Sequence, residues 1–359
     1  ALMGSDSPRA LVLAVAIRDW HEDSATLSNS FASDTHAPEP LSDDELLRAA
    51  GQLPDDTPGW VEADIPQWLV PSFQRAFGDN WIAEGQDMAG RPSLDLRVNT
   101  LKSTRERVMK SLARFNPRHT EWAALGVTMP AGPRDARTPN VTTDEGYQKG
   151  WFEVQDQGSQ IVARLAGARP GDQVLDLCAG AGGKTLALAA AMDNRGQIFA
   201  YDQDRNRLAP IFDRLKRNGV RNAQVRSPEP GALDDLAGKM DRVVIDAPCT
   251  GTGTWRRRPD TKWKLTPELL AQRVAEQAEV LGQGQTFVKN GGTLVYITCS
   301  ILPEENDDQI AAFKTAHPKF QSVDASTLWS DAFAQEPPAG IFTAGGGIDG
   351  FYIHALKRN

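Results

Sequence analysis

Val243-Val244-Ile245-Asp246-Ala247-Pro248-Cys249-Thr250-Gly251-Thr252-Gly253 couples an apolar run to a carboxylate, a proline, a thiol and a glycine-bearing turn. The apolar run reads as a buried parallel strand that presents Asp246 and Cys249 at its carboxyl tip. Taken alone, the stretch makes Cys249 a nucleophile and Asp246 its acid partner. The same logic extends on both sides from Gly150 onward. Gln173–Leu177, Gln197–Tyr201, Ala223–Arg226, Arg242–Ile245 and Gly292–Thr298 read as strands, and Lys184–Met192 as a helix. Leu208, Ile211, Phe212 and Leu215 share one helical face that ends at Gly219. Thr266-Pro267 opens a long helix with proline in its first turn, and Pro303-Glu304-Glu305 opens another. Gly350–Leu356 alternates as a last strand. Such alternation specifies a doubly wound α/β domain over 151–359.

Upstream the pattern differs. Residues 1–65 read as a helical segment: Ala10–Ile17 is a packed helix, 33–40 a polar connection, and Ser42-Asp43-Asp44-Glu45 an N-cap with an acidic first turn. Asp43–Asp64 reads as an acidic, solvated face. Residues 66–150 read as a small α+β unit. Trp68, Leu69, Val70 and Phe73 face one side of a helix ending near Gly78, Leu94–Val98 alternates like a half-exposed strand, Ser103 caps a helix with Glu106, and Pro130–Pro139 is a loop.

The 359 residues are 40% hydrophobic and 24% charged, an ordinary globular composition. No apolar run reaches the ~20 residues that span a bilayer. A net charge of −8 argues against non-specific coating of nucleic acid but leaves room for a local basic groove. Three cysteines without CxxC spacing favour free thiols in a reducing compartment, hence the cytoplasm, and the scattered histidines give no metal-ligand spacing.

Asp176-Leu177-Cys178-Ala179-Gly180-Ala181-Gly182-Gly183-Lys184-Thr185 follows the first strand of the α/β domain. Such a loop brings a ligand against bare backbone at a helix start. A phosphate loop fails because Cys178 occupies its first glycine. A dinucleotide fingerprint fails because Thr185 occupies its third. S-adenosylmethionine needs only close backbone approach and an acid for the ribose, and Asp202 closes the next strand. The plainer alternative is a tight turn with Asp202 as a helix cap.

Tyr296-Ile297-Thr298-Cys299-Ser300 ends the fifth strand, which neighbours the fourth in this fold, ~5 Å away. Cys249 and Cys299 thus share one crevice with Asp246. Carbon 5 of a pyrimidine is a poor nucleophile until a thiolate adds at carbon 6 and makes an enamine. Protonation at N3 by a desolvated Asp246 favours that addition. A second basic group then helps remove the carbon 5 proton. The competing reading makes both cysteines small packing residues.

Taken together, the chain resembles the RsmB/Nop2/Sun family of RNA cytosine-5 methyltransferases. Leu96-Arg97-Val98-Asn99-Thr100-Leu101-Lys102, Val154-Gln155-Asp156-Gln157-Gly158-Ser159-Gln160, the glycine loop, Asp246–Gly253 and Thr298–Asn306 carry the likeness, from about Pro66 onward. The first 60 residues resemble, more loosely, the tail of the NusB-like helical domain of bacterial members. The likeness implies a Rossmann-like class I methyltransferase domain preceded by a small RNA-binding subdomain. It implies Cys299 as nucleophile on carbon 6, Cys249 as helper in proton removal and release, and Asp246 at the base near the cofactor's methionine end. It further implies that Cys178, Ala179, Gly180, Ala181, Gly182, Gly183 and Lys184 line S-adenosylmethionine, that Arg207 joins them, and that Asp202 holds the ribose. The family's aspartate after the third strand has no counterpart in Val225-Arg226-Ser227-Pro228-Glu229, and Gly180-Ala181 replaces a common Ala-Pro.

Trp255-Arg256-Arg257-Arg258-Pro259-Asp260-Thr261-Lys262-Trp263-Lys264 carries five cations, one acid and two tryptophans just after Cys249. Arg256, Arg257, Arg258, Lys262 and Trp263 are therefore expected to hold RNA by phosphate contact and stacking. A solvated loop anchored by its tryptophans is the alternative. The expected protein is a monomeric cytoplasmic enzyme acting on small-subunit ribosomal RNA. The rivals are a tRNA enzyme, a DNA cytosine-5 methyltransferase, which leaves Cys299 without a role, and a non-catalytic RNA-binding assembly factor.

Overall fold

The computed structural model describes residues 2–18, 20–32, 36–49, 56–132, 136–323, 333 and 347–359. Parts of the 33–40 connection, the 43–64 acidic segment and the 130–139 loop lie outside these residues. The N-terminal helix Pro8–Arg18 buries Ala10, Leu13 and Ala16, as its apolar run requires. Ser42 and Glu45 cap the helix Asp43–Ala49 reciprocally: Ser42 Oγ accepts from Glu45 N at 3.2 Å, and Glu45 Oε2 accepts from Ser42 N at 2.9 Å.

A four-stranded antiparallel sheet follows. Its strands are β1 (Leu94–Val98), β2 (Arg118–His119), β3 (Gly126–Met129) and β4 (Phe152–Val154), in the order β2-β3-β1-β4. β4 carries the small unit past Gly150. β1 is not half-exposed as its alternation suggests. Asp95 and Arg97 are both buried, because the polar side of the sheet faces the α/β domain rather than water. Thr104, not Ser103, caps the next helix, its Oγ1 accepting from Arg107 N.

The second sheet holds β5 (Gln173–Asp176), β6 (Gln197–Tyr201), β7 (Ala223–Arg226), β8 (Met240–Asp246), β9 (Val288–Thr298), β10 (Phe320–Ser322) and β11 (Tyr352–Arg358). Their order is β10-β11-β9-β8-β5-β6-β7, with β5 to β9 parallel and β11 antiparallel to β9. β8 is apolar on both faces for a visible reason. Val243 and Ile245 pack with Leu281 and Phe313 of the helices Pro267–Gly284 and Asp307–Ala316. Val244 packs with Val162 and Leu188 of the helices Gln157–Leu165 and Gly183–Ala191 on the other side.

Thr266 caps the 18-residue helix Pro267–Gly284, accepting from Leu269 N at 3.2 Å. Thr266→Ala is expected to cost about 1 kcal/mol, read as a lower urea midpoint with unchanged slope. The expected apolar face over Leu208–Leu215 is interrupted at Pro210, which separates the helices Arg205–Leu208 and Ile211–Asn218. Phe212 turns outward, 61% exposed, while Leu208, Ile211 and Leu215 stay in the core.

Candidate active site

β8 and β9 pair in parallel with Asp246 opposite Ile297, so the two tips end side by side. Cys249 Sγ and Cys299 Sγ lie 3.3 Å apart as free thiols. Together with Asp246, Arg207, Arg258 and Arg273 they line a cleft of about 430 Å³. A buried polar lattice fixes both tips. Glu305, wholly buried, accepts from Thr250 N at 2.8 Å and from Gln277 Nε2 at 2.9 Å, and Gln277 also donates to Pro248 O. Thr298 Oγ1 donates to Asn306 Oδ1 at 2.6 Å, and Asn306 Nδ2 donates to Ser300 O. The Thr298–Asn306 motif is thus the scaffold of the thiol pair. Its Glu305 carboxylate and Asn306 amide satisfy loop backbone that would otherwise be unpaired.

Asp246 does not sit in the desolvated apolar setting expected of it. Its Oδ2 pairs with Lys184 Nζ at 3.0 Å, and about a third of its side chain (32%) is exposed. Lys184, almost fully buried, also donates to Ser159 Oγ at 2.9 Å. Burial is the largest influence and opposes the Lys184 charge, but Asp246, Asp156 and Cys299 together outweigh it, so the ammonium is held above its ordinary range. Lys184 thus ties the glycine loop to Asp246 and Ser159. Cys249 is held well above the usual thiol range, first by its hydrogen bond to Cys299 and then by burial.

The second cleft, about 370 Å³, is walled by Leu177, Cys178, Asp202 and Gln203 on one side and Glu279 and Gln283 on the other. Arg207 and Pro248 border both clefts. Asp202 is 1% exposed and is not the helix cap. Asp204 caps Arg205–Leu208, while Asp202 accepts from Gly180 N and Asp204 N, each at 2.9 Å. A carboxylate has room for about four hydrogen bonds, so two remain for vicinal hydroxyls. Gly180 has a φ of +49°, and the place of its missing Cβ holds only Arg207 and Asp202 atoms, at 3.6 and 3.9 Å. Gly182, with a φ of +86°, admits no side chain at all: a Cβ would lie 2.5 Å from Ile211. These residues fit the ribose and backbone approach of S-adenosylmethionine. Ser227 and Glu229 turn to Arg205 instead of lining the cleft.

The basic stretch after Cys249 divides. Arg256 Nε donates to the fully buried Asp349 at 2.5 Å, and Arg257 pairs with the same carboxylate and reaches Ser93 O. Lys262, 1% exposed, donates to the carbonyl and carboxylate of Asp64 at 2.7 Å. Arg256, Arg257 and Lys262 thus each pair with an acid of the protein, Arg257 with 28% of its side chain still exposed. Asp64 itself keeps 36% of its side chain exposed while it binds Lys262. Trp255 is buried and stacks on Phe73, ring centroids 5.8 Å apart. Arg258 and Trp263 remain exposed, the latter at 58%, and Arg258 lines the thiol cleft. Sequence reasoning assigned no role to Ser159, Gln277 or Glu305. Ser159 and Glu305 stand inside quoted motifs, but their partners lie 25 and 55 positions away.

Residues 163–357 match the family described as 16S rRNA methyltransferase RsmB/F, and residues 65–130 match the RsmF/B-like ferredoxin-like domain. The chain belongs to the RsmB/F methyltransferase family. This is a family of S-adenosylmethionine-dependent enzymes. Among relatives, a probable ribosomal RNA small subunit methyltransferase B of Synechocystis is 34% identical over 82% of the chain and 67% of its own length. Ribosomal RNA small subunit methyltransferase B of Klebsiella pneumoniae is 39% identical over 70% of the chain and 58% of its own length. The chain thus spans about three fifths to two thirds of these RsmB/F relatives. The crystal structure of PH0851 superposes with a TM-score of 0.73 at 27% identity, covering 88% of the chain and 72% of PH0851. Among the described residues, no helix is long and apolar enough to cross a membrane.

Proposed function

We propose that this protein transfers a methyl group from S-adenosylmethionine to carbon 5 of a cytosine in small-subunit ribosomal RNA. The observation that carries the reading is the pair of free thiols, 3.3 Å apart, beside the Asp246–Lys184 ion pair. A cofactor-binding fold without this chemistry has no use for two apposed cysteines. The named relatives support ribosomal RNA as the substrate.

Bound S-adenosylmethionine supplies an electrophilic methyl group. The Cys299 sulfur adds to carbon 6, leaving carbon 5 as an enamine carbon that takes the methyl. Asp246 and Lys184 hold the base's N3 and carbonyl side, and the Lys184 ammonium stabilises the negative charge that builds there. Once the Cys299 sulfur is bonded to the ring and no longer holds it as a thiol, Cys249 gives its own proton to solvent and, as the thiolate, takes the carbon 5 proton, while the Cys299 sulfur leaves as a thiolate as the ring regains its double bond. The electrostatics suit this division. Cys249 is held protonated mainly by Cys299, and that contact is lost once the Cys299 sulfur is bonded to the ring. Arg258 and Trp263 are the members of the basic stretch placed to meet RNA, and the target base must be unstacked to enter the cleft.

The test is labelled methyl transfer into 16S ribosomal RNA followed by bisulfite mapping. A single protected cytosine is expected. Label in DNA, in tRNA alone or in no nucleic acid overturns the assignment. Asp202→Ala is expected to weaken S-adenosylhomocysteine binding roughly 10- to 100-fold by calorimetry, the worth of hydrogen bonds to a charged group.

A further inference from the structure

The thiol cleft carries cations that the methyl-transfer chemistry does not use. Arg258 and Arg273 line it and do not line the cofactor cleft, whereas Arg207 borders both. Asp246 is the one acid among its lining residues, and Asp246 is already paired with Lys184. The cleft therefore holds a surplus of positive charge on the side away from the cofactor.

Arg273 lies beyond the basic stretch 255–264, on the helix Pro267–Gly284. The orientation of that helix is fixed by Gln277, one turn further on and on the same face. Gln277 is fully buried and donates to Pro248 O, next to Cys249, and to Glu305. Arg273 Nη1 donates to Glu276 Oε2 at 2.5 Å, and 32% of its side chain is exposed. That bond engages one N–H of a guanidinium that has five. Arg258 is exposed, and its guanidinium has no hydrogen bond or ion pair among the described residues.

Two guanidiniums with N–H groups to spare, lining a cleft whose thiols and ion pair are set for a neutral base, call for an anion that arrives with that base. An extruded cytosine brings one, because its sugar is bonded to a phosphate on either side. Guanidinium forks match phosphate oxygens in pairs. Phosphate contacts position a nucleic acid without reading its sequence. The carboxylate of S-adenosylmethionine is the rival anion, but neither arginine lines the cofactor cleft.

We propose that Arg258 and Arg273 clamp a phosphate flanking the methylated cytosine and so hold the extruded nucleotide in the thiol cleft. The inference rests on the RNA reading above. Arg273→Ala is expected to weaken binding of 16S ribosomal RNA roughly 10- to 100-fold and to flatten the slope of log affinity against log salt by about 0.7. Its urea midpoint and S-adenosylhomocysteine affinity should be unchanged. The deciding probe is 16S ribosomal RNA sparsely ethylated at its phosphates, with complexes compared at equal fractions bound. Wild-type complexes should exclude RNA ethylated at a phosphate beside the mapped cytosine. With Arg273→Ala that exclusion should vanish while exclusions elsewhere persist. If it persists in Arg273→Ala, or if wild-type protein binds and methylates the RNA with no exclusion there, Arg273 clamps no such phosphate. Intact RNA affinity with lowered S-adenosylhomocysteine affinity also overturns the clamp and gives Arg273 to the cofactor's carboxylate. A wild-type chain that neither binds nor methylates RNA overturns the function first and this inference with it.

Discussion

Cys299→Ala is expected to lose methyl transfer by at least about 10⁴-fold, the usual effect of deleting a nucleophile, and to form no covalent RNA adduct. Cys249→Ala is expected to behave differently. It keeps the attacking sulfur but loses the group that takes the carbon 5 proton, so the methylated adduct stays bonded to the protein. A slower-migrating protein–RNA band should survive a denaturing gel, require S-adenosylmethionine and disappear in the double mutant. The thiols are 3.3 Å apart, and either can reach a ring placed between them. Cys249 is held as a thiol by its contact with Cys299 and by burial, and the two mutants tell the roles apart. An adduct that accumulates with Cys299→Ala instead would reverse the two roles.

Asp349→Ala should produce the largest loss of stability, about 3–5 kcal/mol, because it leaves cations buried without their acid. Asp349 is completely buried and receives both Arg256 and Arg257. The neighbouring Asp156 is a poor substitute. Burial and the Asp349 charge raise it to about 7, and it already caps the helix Gln157–Leu165. The damage should reach the active site, since Arg256 and Arg257 end the turn that begins at Gly251, two residues after Cys249. The urea midpoint should fall and methyl transfer should fall with it. By contrast, Arg258→Ala, at an exposed position, should leave the midpoint unchanged and weaken RNA binding. An unchanged midpoint in Asp349→Ala would return Arg256 and Arg257 to the RNA surface.

The α/β domain was legible because its signals are local. β8 is a continuous apolar run because both faces are covered, and Thr266-Pro267 marks a helix start because Thr266 Oγ1 accepts from Leu269 N. The adjacency of Cys249 and Cys299 followed from strand order alone. The basic stretch shows the opposite case. The pairing of Arg256 and Arg257 with Asp349, and of Lys262 with Asp64, was not legible because those acids are distant in sequence. β1 was misjudged in the same way, since its polar residues face a second domain rather than solvent.

By itself, then, the sequence determined the doubly wound sheet, the glycine loop facing Asp202 and the meeting of two thiols with Asp246. Periodicity, turn chemistry and strand succession are written within short windows of chain. Tertiary structure alone decided which charges are spent inside the protein. It gave Asp246 the Lys184 ammonium as partner and paired Arg256 and Arg257 with Asp349 and Lys262 with Asp64. A charge finds its partner by distance in space, and the partners that matter here lie far apart along the chain.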